Sequence, residues 1–162
     1  MKGTVITGLM ILVITMLTAC SSSESNPATE SNIAHQAMVT VSSEYSSNYK
    51  ATNAVDGIKI VHDRGEWASR GQLKGAWILL QWSNTHDVSR IMLYDRKNTT
   101  DFIQAARLTF SDGSAIDTGA LNNDGQPKEF VFAPKSIEWV RLEVLQAAGL
   151  NIGISEIEVF GF

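Results

Sequence analysis

The sequence has a single cysteine, Cys20. No disulfide can close within the chain and no cysteine-based zinc site can be built. Stability must come from the core, helped at most by a metal bound through oxygen. Positive charge is also scarce. Thirteen Lys and Arg stand against 17 Asp and Glu, a net −4. Lys2 is the only charged residue before Cys20, so the remainder carries 12 basic and 17 acidic residues, a net −5. Binding nucleic acid requires clustered cations to neutralise phosphates, so no nucleic-acid partner is expected. No apolar run reaches the roughly 20 residues of a membrane span. From Ile33 onward there is no helical stripe. The motifs of catalysis are missing too: there is no G-x-S-x-G elbow, no phosphate-cradling glycine loop, no HExxH and no cysteine nucleophile in the fold. The expectation is therefore no enzyme. A small hydrolase would need two convergent carboxylates, and an acidic pair such as Asp63 and Glu66 is too common to argue for one.

What the N-terminus does contain is an address. Lys2 precedes an apolar stretch from Val5 to Met16, the length of a signal-peptide core. Leu17-Thr18-Ala19-Cys20 resembles a lipobox. That resemblance implies a signal peptide over residues 1–19, cleavage before Cys20, and lipidation of Cys20 with palmitate-type acyl chains. Several chains on one residue give stable anchoring. The alternative is an ordinary signal peptide with an incidental cysteine. Ser21, in place of aspartate, favours the outer membrane in an organism that has one. Residues 20–32 hold no aromatic or large aliphatic side chain and read as a flexible tether. The folded domain is expected over residues 33–162, outside the cytoplasm at the bacterial cell envelope.

Within that domain, short segments alternate with period two between turn residues. Strands are expected at Ala37–Ser43, Ala76–Trp82, Val88–Asp95, Ala106–Phe110, Ser114–Thr118, around Phe130 and Phe132, at Ile137–Leu145 and at Ile154–Phe160. Ala76–Trp82 is almost wholly apolar and reads as a strand buried on both faces. Elsewhere Ile91, Leu93, Leu108, Phe110, Val140, Leu142, Val144, Ile157 and Val159 should point inward. Asp112-Gly113 and Asn123-Asp124-Gly125 are turns, since glycine accepts positive φ without strain. Roughly eight or nine strands at this spacing predict an all-β sandwich or jelly roll. The first and last strands should pair or lie close together.

Four blocks, in order, resemble the discoidin, or coagulation factor 5/8 type C, superfamily: Ala54-Val55-Asp56-Gly57, Trp67-Ala68-Ser69, Trp77-Ile78-Leu79-Leu80 and Ser155-Glu156-Ile157-Glu158-Val159. The resemblance covers about residues 33–162 and implies a galactose-binding-like jelly-roll β-sandwich. Gly65-Glu66-Trp67-Ala68-Ser69, Leu93-Tyr94-Asp95-Arg96 and Phe110-Ser111-Asp112-Gly113-Ser114 resemble a bacterial subgroup of that superfamily more closely.

The resemblance implies a non-catalytic module binding a glycan, or else an envelope protein, through loops at one end. Asp56 and Glu156 match the acids that hold a structural calcium ion in some relatives; loop carbonyls would supply the remaining oxygens. The alternative is that Asp56 caps its own turn while Glu156 hydrogen-bonds a neighbouring loop. Tyr45 and Tyr49 are the candidate exposed aromatics. Arg64, Glu66, Asp95, Arg96, Asn98 and Asp101 form a polar loop set able to hold sugar hydroxyls. An internal ion pair, such as Arg96 with Glu66 or Asp95, is the competing account. His62 is a further ligand candidate in a long loop. Trp77 and Trp139 read as core residues, and Trp82 as partly exposed.

Overall fold

The computed structural model describes Gly3, residues 29–59 and residues 65–162. Cys20, the tether up to residue 28, His62 and Arg64 lie outside the described residues. The described residues form eight strands: β1 (Ser31–Asn32), β2 (Met38–Val41), β3 (Trp67–Ala68), β4 (Trp77–Asp95), β5 (Phe102–Phe110), β6 (Ala115–Gly119), β7 (Lys128–Ala148) and β8 (Gly153–Gly161). The only helical segments among the described residues are 3-10 turns at Ala34–Gln36 and Ala51–Val55. Every strand pairing is antiparallel, in the order β1-β8-β4-β7-β5-β6, with β2 on β4 and β3 on β8.

Two long strands make the sandwich. The first half of β4 pairs with β2 and with the second half of β7, as Leu80 with Val140. Its second half pairs with β8 and with the first half of β7, as Ile91 with Val159 and Phe130. A register shift between Gln81 and His86 lets β4 bend from one layer into the other. Such bulges turn strands around corners. The segments expected as separate strands at 76–82 and 88–95 are therefore one strand. Those expected around Phe130 and at 137–145 are likewise one.

The two layers close on a shared core that includes Ile78, Leu80, Ile91, Leu93, Leu108, Phe110, Val140, Leu142, Val144, Ile157 and Val159. All the residues expected to point inward do so. The strand at 76–82 differs from expectation. Ile78, Leu80 and Trp82 are buried, whereas Trp77 and Leu79 are half-buried and Gln81 is exposed. Only one face of this strand is covered, so its alternation is real but masked by apolar residues on both faces. Trp139 is also half-buried, so neither Trp77 nor Trp139 belongs to the core. Trp82, expected to be partly open, is 5% exposed and donates its indole N–H to the Ile33 carbonyl.

The Asp112-Gly113 turn forms as expected. Gly113 has φ 83°, and the Ser114 N–H donates to Asp112 Oδ1 at 2.9 Å. The last strand pairs with the start of the domain through Ser31–Asn32; the strand expected first, here β2, pairs with β4. Among the described residues, strand pairing thus reaches two residues before the expected boundary. Glu30 is bound there as well, accepting from Ser89 at 2.5 Å and from Arg90 at 3.1 and 2.7 Å.

Candidate functional site

The loops after β2, before β5, between β6 and β7 and between β7 and β8 gather at one end of the sandwich. The chain enters at the other. On β8, Ile154 faces Asp95 at the loop end, while Gly161 faces Ser31. The two are seven steps apart along the strand, about 23 Å at the rise of a strand.

Arg96 is the centre of the loop end and is buried. Its Nε donates to Glu66 Oε1 at 2.9 Å, and Nη2 lies 2.8 Å from the same oxygen. Nη1 donates to the Asn151 carbonyl at 2.5 Å, with Asp101 Oδ2 4.0 Å away. One guanidinium therefore ties together the segment leading into β3, the loop before β5 and the loop before β8. Glu66 is buried with it. A planar donor with a fixed fork geometry suits this work.

The rest of the polar set also holds loops in place. Asp95 is buried and accepts the N–H of Arg96 at 2.8 Å and of Ile103 at 2.9 Å. Burial pushes its carboxyl up to about 7, against those two N–H bonds, which act to lower it. Asn98 accepts the N–H groups of Thr100 and Asp101, and its carbonyl accepts from Asn123 at 2.6 Å. Asp101 Oδ1 accepts the Leu150 N–H at 2.7 Å, which joins two loops. Glycine is required opposite it, because a Cβ on Gly149 would sit 2.0 Å from that oxygen.

The aromatic candidates face outward on this frame. Tyr49 is half-buried, with the Arg96 guanidinium 5.7 Å from its ring. Tyr45 meets Tyr49 edge to face at 5.7 Å and is 49% exposed. The chain here is laced to β3: the Tyr45 N–H donates to the Ala68 carbonyl at 2.7 Å, and the Trp67 indole to the Ser43 carbonyl at 2.9 Å. Trp67 itself is fully buried.

Two contributors were not singled out from sequence. Arg70 donates to the Glu44 carbonyl at 3.2 Å and to the Tyr45 carbonyl at 2.9 Å, fixing the backbone under the exposed ring. Asn151 receives Arg96 on its carbonyl and the Gly71 N–H on its side chain at 2.9 Å. Arg70 extends the Trp67-Ala68-Ser69 block, which was the available signal for it; Asn151 lies in no such block and carried none.

Asp56 and Glu156 come together away from the aromatic pair. Both Glu156 oxygens accept the Gly57 N–H at 3.2 Å, and Asp56 Oδ1 accepts the Ile58 N–H at 2.9 Å. Burial pushes Glu156 up to about 8, and the charges of Asp56 and Glu158 act in the same direction. The nearby ammonium of Lys59 pairs with Glu158 at 2.8 Å. These are the contacts of the alternative reading, in which Asp56 caps its own turn and Glu156 hydrogen-bonds the neighbouring loop. Among the described residues no group of three acidic, His or Cys side chains is placed to hold a metal ion.

The fold has many relatives of known structure. Chitosan-binding module 1 of a chitosanase/glucanase from Paenibacillus sp. IK-5 is 20% identical, with a TM-score of 0.66 over 81% of this chain and 99% of that one. The family 32 carbohydrate-binding module of NanJ from C. perfringens, solved with galactose, is 19% identical, with a TM-score of 0.66 over 82% and 99%. A further family 32 module from Clostridium perfringens, solved with GalNAc-β-1,3-galactose, is 17% identical, with a TM-score of 0.65 over 80% and 99%. The fold is thus that of the discoidin-like, galactose-binding-type β-sandwich modules. No curated protein sequence matches. A family model described as a domain of unknown function, DUF7402, matches residues 32–160, and the chain belongs to that family.

Proposed function

We propose that this protein is a non-catalytic glycan-binding module, held at the bacterial cell envelope by a lipid on Cys20. The observation that carries the proposal is the ladder at the loop end: a buried Arg96–Glu66 pair backs Tyr49, and Tyr49 backs the exposed ring of Tyr45. A flat aromatic face accepts the C–H side of a sugar, and neighbouring polar groups accept or donate to its hydroxyls. The loops are bonded to one another before any ligand arrives, so little ordering remains to be done on binding. Fold relatives bearing names of chitosan- and galactose-binding modules support a sugar as ligand.

In this proposal Arg96, Glu66, Asp95, Asn98 and Asp101 position the loops, and Tyr45 and Tyr49 meet the ligand. Arg64 and His62, outside the described residues, are proposed as further ligand contacts. The entry of the chain at the far end suits a tether, because it turns the loop end away from the membrane. An outer-membrane location follows from Ser21 in an organism with two membranes. Asp56 and Glu156 would hold a structural calcium ion together with backbone carbonyls; bound there, the ion would fix the loop at Gly57.

The test is a glycan array probed with the detergent-solubilised full chain, with calcium and with chelator. A specific signal lost in Tyr45→Ala supports the proposal. A blank array in both conditions, from protein shown to be folded, removes sugar binding at this end and leaves an envelope protein as the partner.

A further inference from the structure

Both layers of the sandwich end on free strand edges, and these edges are not alike. One layer ends on β6, whose central Asp117 pairs with Arg107 at 2.6 Å, and on β2. The other ends on the first half of β7, which carries Lys128 and Glu129 and runs into Pro134, and on the two-residue strands β1 and β3. Charge, proline and very short length are the usual guards of an edge. β2 is longer than β1 or β3 and carries neither charge nor proline. No Asp, Glu, Lys or Arg occurs from Ser31 to Ser43, and β2 itself reads Met38-Val39-Thr40-Val41.

The register fixes which groups this edge presents. Ser42 donates its N–H to the Trp77 carbonyl at 3.0 Å, and the same register pairs Thr40 with Leu79 and Met38 with Gln81. Hydrogen-bonded pairs alternate along an antiparallel ladder, so Met38, Thr40 and Ser42 direct their main-chain groups at β4. The N–H and C=O of Val39 and Val41 point the other way. Among the described residues none of these four groups has a hydrogen-bond partner. The two valine side chains pack against the core but are only half-buried, whereas Met38 and Thr40 stand exposed on the outer face. The edge therefore lacks both a strand to bond and cover for two core-facing valines.

We propose that β2 pairs antiparallel with β2 of a second copy of this chain, about a two-fold axis through Thr40. In that register Val39 lies opposite the second copy's Val41 and Val41 opposite its Val39. The two pairs exchange four main-chain hydrogen bonds, which satisfies every free group on the edge. The inner face sets valine beside valine, and the outer face sets Thr40 against its own copy; β-branched and threonine pairs of this kind favour a sheet. A two-fold contact brings like against like, so a chain of net charge −4 can form it only where no charge stands, as along β2. The same neutrality offers nothing to match a charged partner strand. Each copy has one such edge, so the assembly closes at two. The axis crosses the strands, so the two loop ends lie at opposite ends of the pair and neither is covered.

The test uses the detergent-solubilised full chain. Thr40 against Thr40 is a non-hydrogen-bonded pair with Cα atoms about 4.5 Å apart, within the span of a disulfide. Thr40→Cys should therefore cross-link to a dimer under mild oxidation, and Asp117→Cys, on the guarded edge of β6, should not. Cys20 is present in every variant, so wild type sets the background. Sedimentation across a concentration series should show a reversible monomer–dimer equilibrium for wild type, since an edge contact is small. Thr40→Lys and Thr40→Glu each place like charges at the axis and should weaken pairing about tenfold or more. An equimolar mixture of the two should pair again, which variants that had lost their fold could not do. The proposal is overturned by wild type that stays monomeric at every concentration. It is also overturned by cross-linking of Thr40→Cys no greater than that of Asp117→Cys, or by a dimer that Thr40→Lys leaves unchanged.

Discussion

Removing Arg96 should damage the fold more than any exposed substitution at the loop end. The guanidinium is buried and gives two close contacts to Glu66 and one to the Asn151 carbonyl. Arg96→Ala leaves the Glu66 carboxylate buried without its cation and the Asn151 carbonyl without its donor. Breaking a buried pair by deleting one partner costs about 3–5 kcal/mol, most of it the cost of the stranded charge. At a urea dependence of about 2 kcal/mol per molar, the unfolding midpoint should fall by about 2 M. Taking out both partners together, as Arg96→Met with Glu66→Leu, removes the stranded charge and should recover most of that loss. The assay is urea unfolding of wild type, Arg96→Ala, Arg96→Met, Glu66→Leu and the double variant, the last three read with wild type as a double-mutant cycle. A midpoint shift below about 0.5 M for Arg96→Ala, or a double variant as unstable as the sum of the singles, would refute the account of Arg96 as a loop clamp. Loss of glycan binding with stability intact would put Arg96 in contact with ligand instead.

Four further outcomes follow from the same geometry. Tyr45→Ala, at a half-exposed ring, should change stability by no more than about 0.5 kcal/mol while removing the glycan-array signal; isothermal titration with a positive glycan checks both halves against a melting curve. Gly153→Ala would place a Cβ 1.8 Å from the Trp67 carbonyl oxygen, so β3 and β8 must part; a loss of about 3 kcal/mol or more is expected in urea unfolding. Gly57→Ala meets no atom within 4 Å but keeps φ at 83°, and should cost only about 1–2 kcal/mol. Asp95 is held near 7 when folded, against an ordinary value of 3.8. The folded state thus binds this proton more tightly than the unfolded chain. The contribution is complete below the ordinary value and is lost as pH rises through 7, by at most about 4 kcal/mol. Thermal unfolding should show stability falling from pH 5 to pH 8, and Asp95→Asn should reduce that slope, leaving the part that the raised Glu156 carboxyl contributes.

Much of the fold was legible because strand periodicity is local. Leu108 and Phe110, or Ile157 and Val159, announce their inward face by position alone, and Asp112-Gly113 announces its turn through the conformation it needs. The ordered blocks from Ala54 to Val159 carried the architecture. Only tertiary structure decided which segments are continuous. Residues 83–87 read as a break because they are polar and 133–136 because they contain Pro134, yet cross-strand pairing carries both long strands through a corner. It also decided which tryptophans are core. Ala76–Trp82 is apolar at almost every position, so its phase is visible only once one face is covered and the other is not. The pairing of Arg96 with Glu66 spans 30 residues in sequence, and the sequence left it level with a ligand-binding role. Whether a charged side chain meets solvent or another charge depends on which distant loop folds over it. That is a property of the packed sandwich and of no local stretch of the chain.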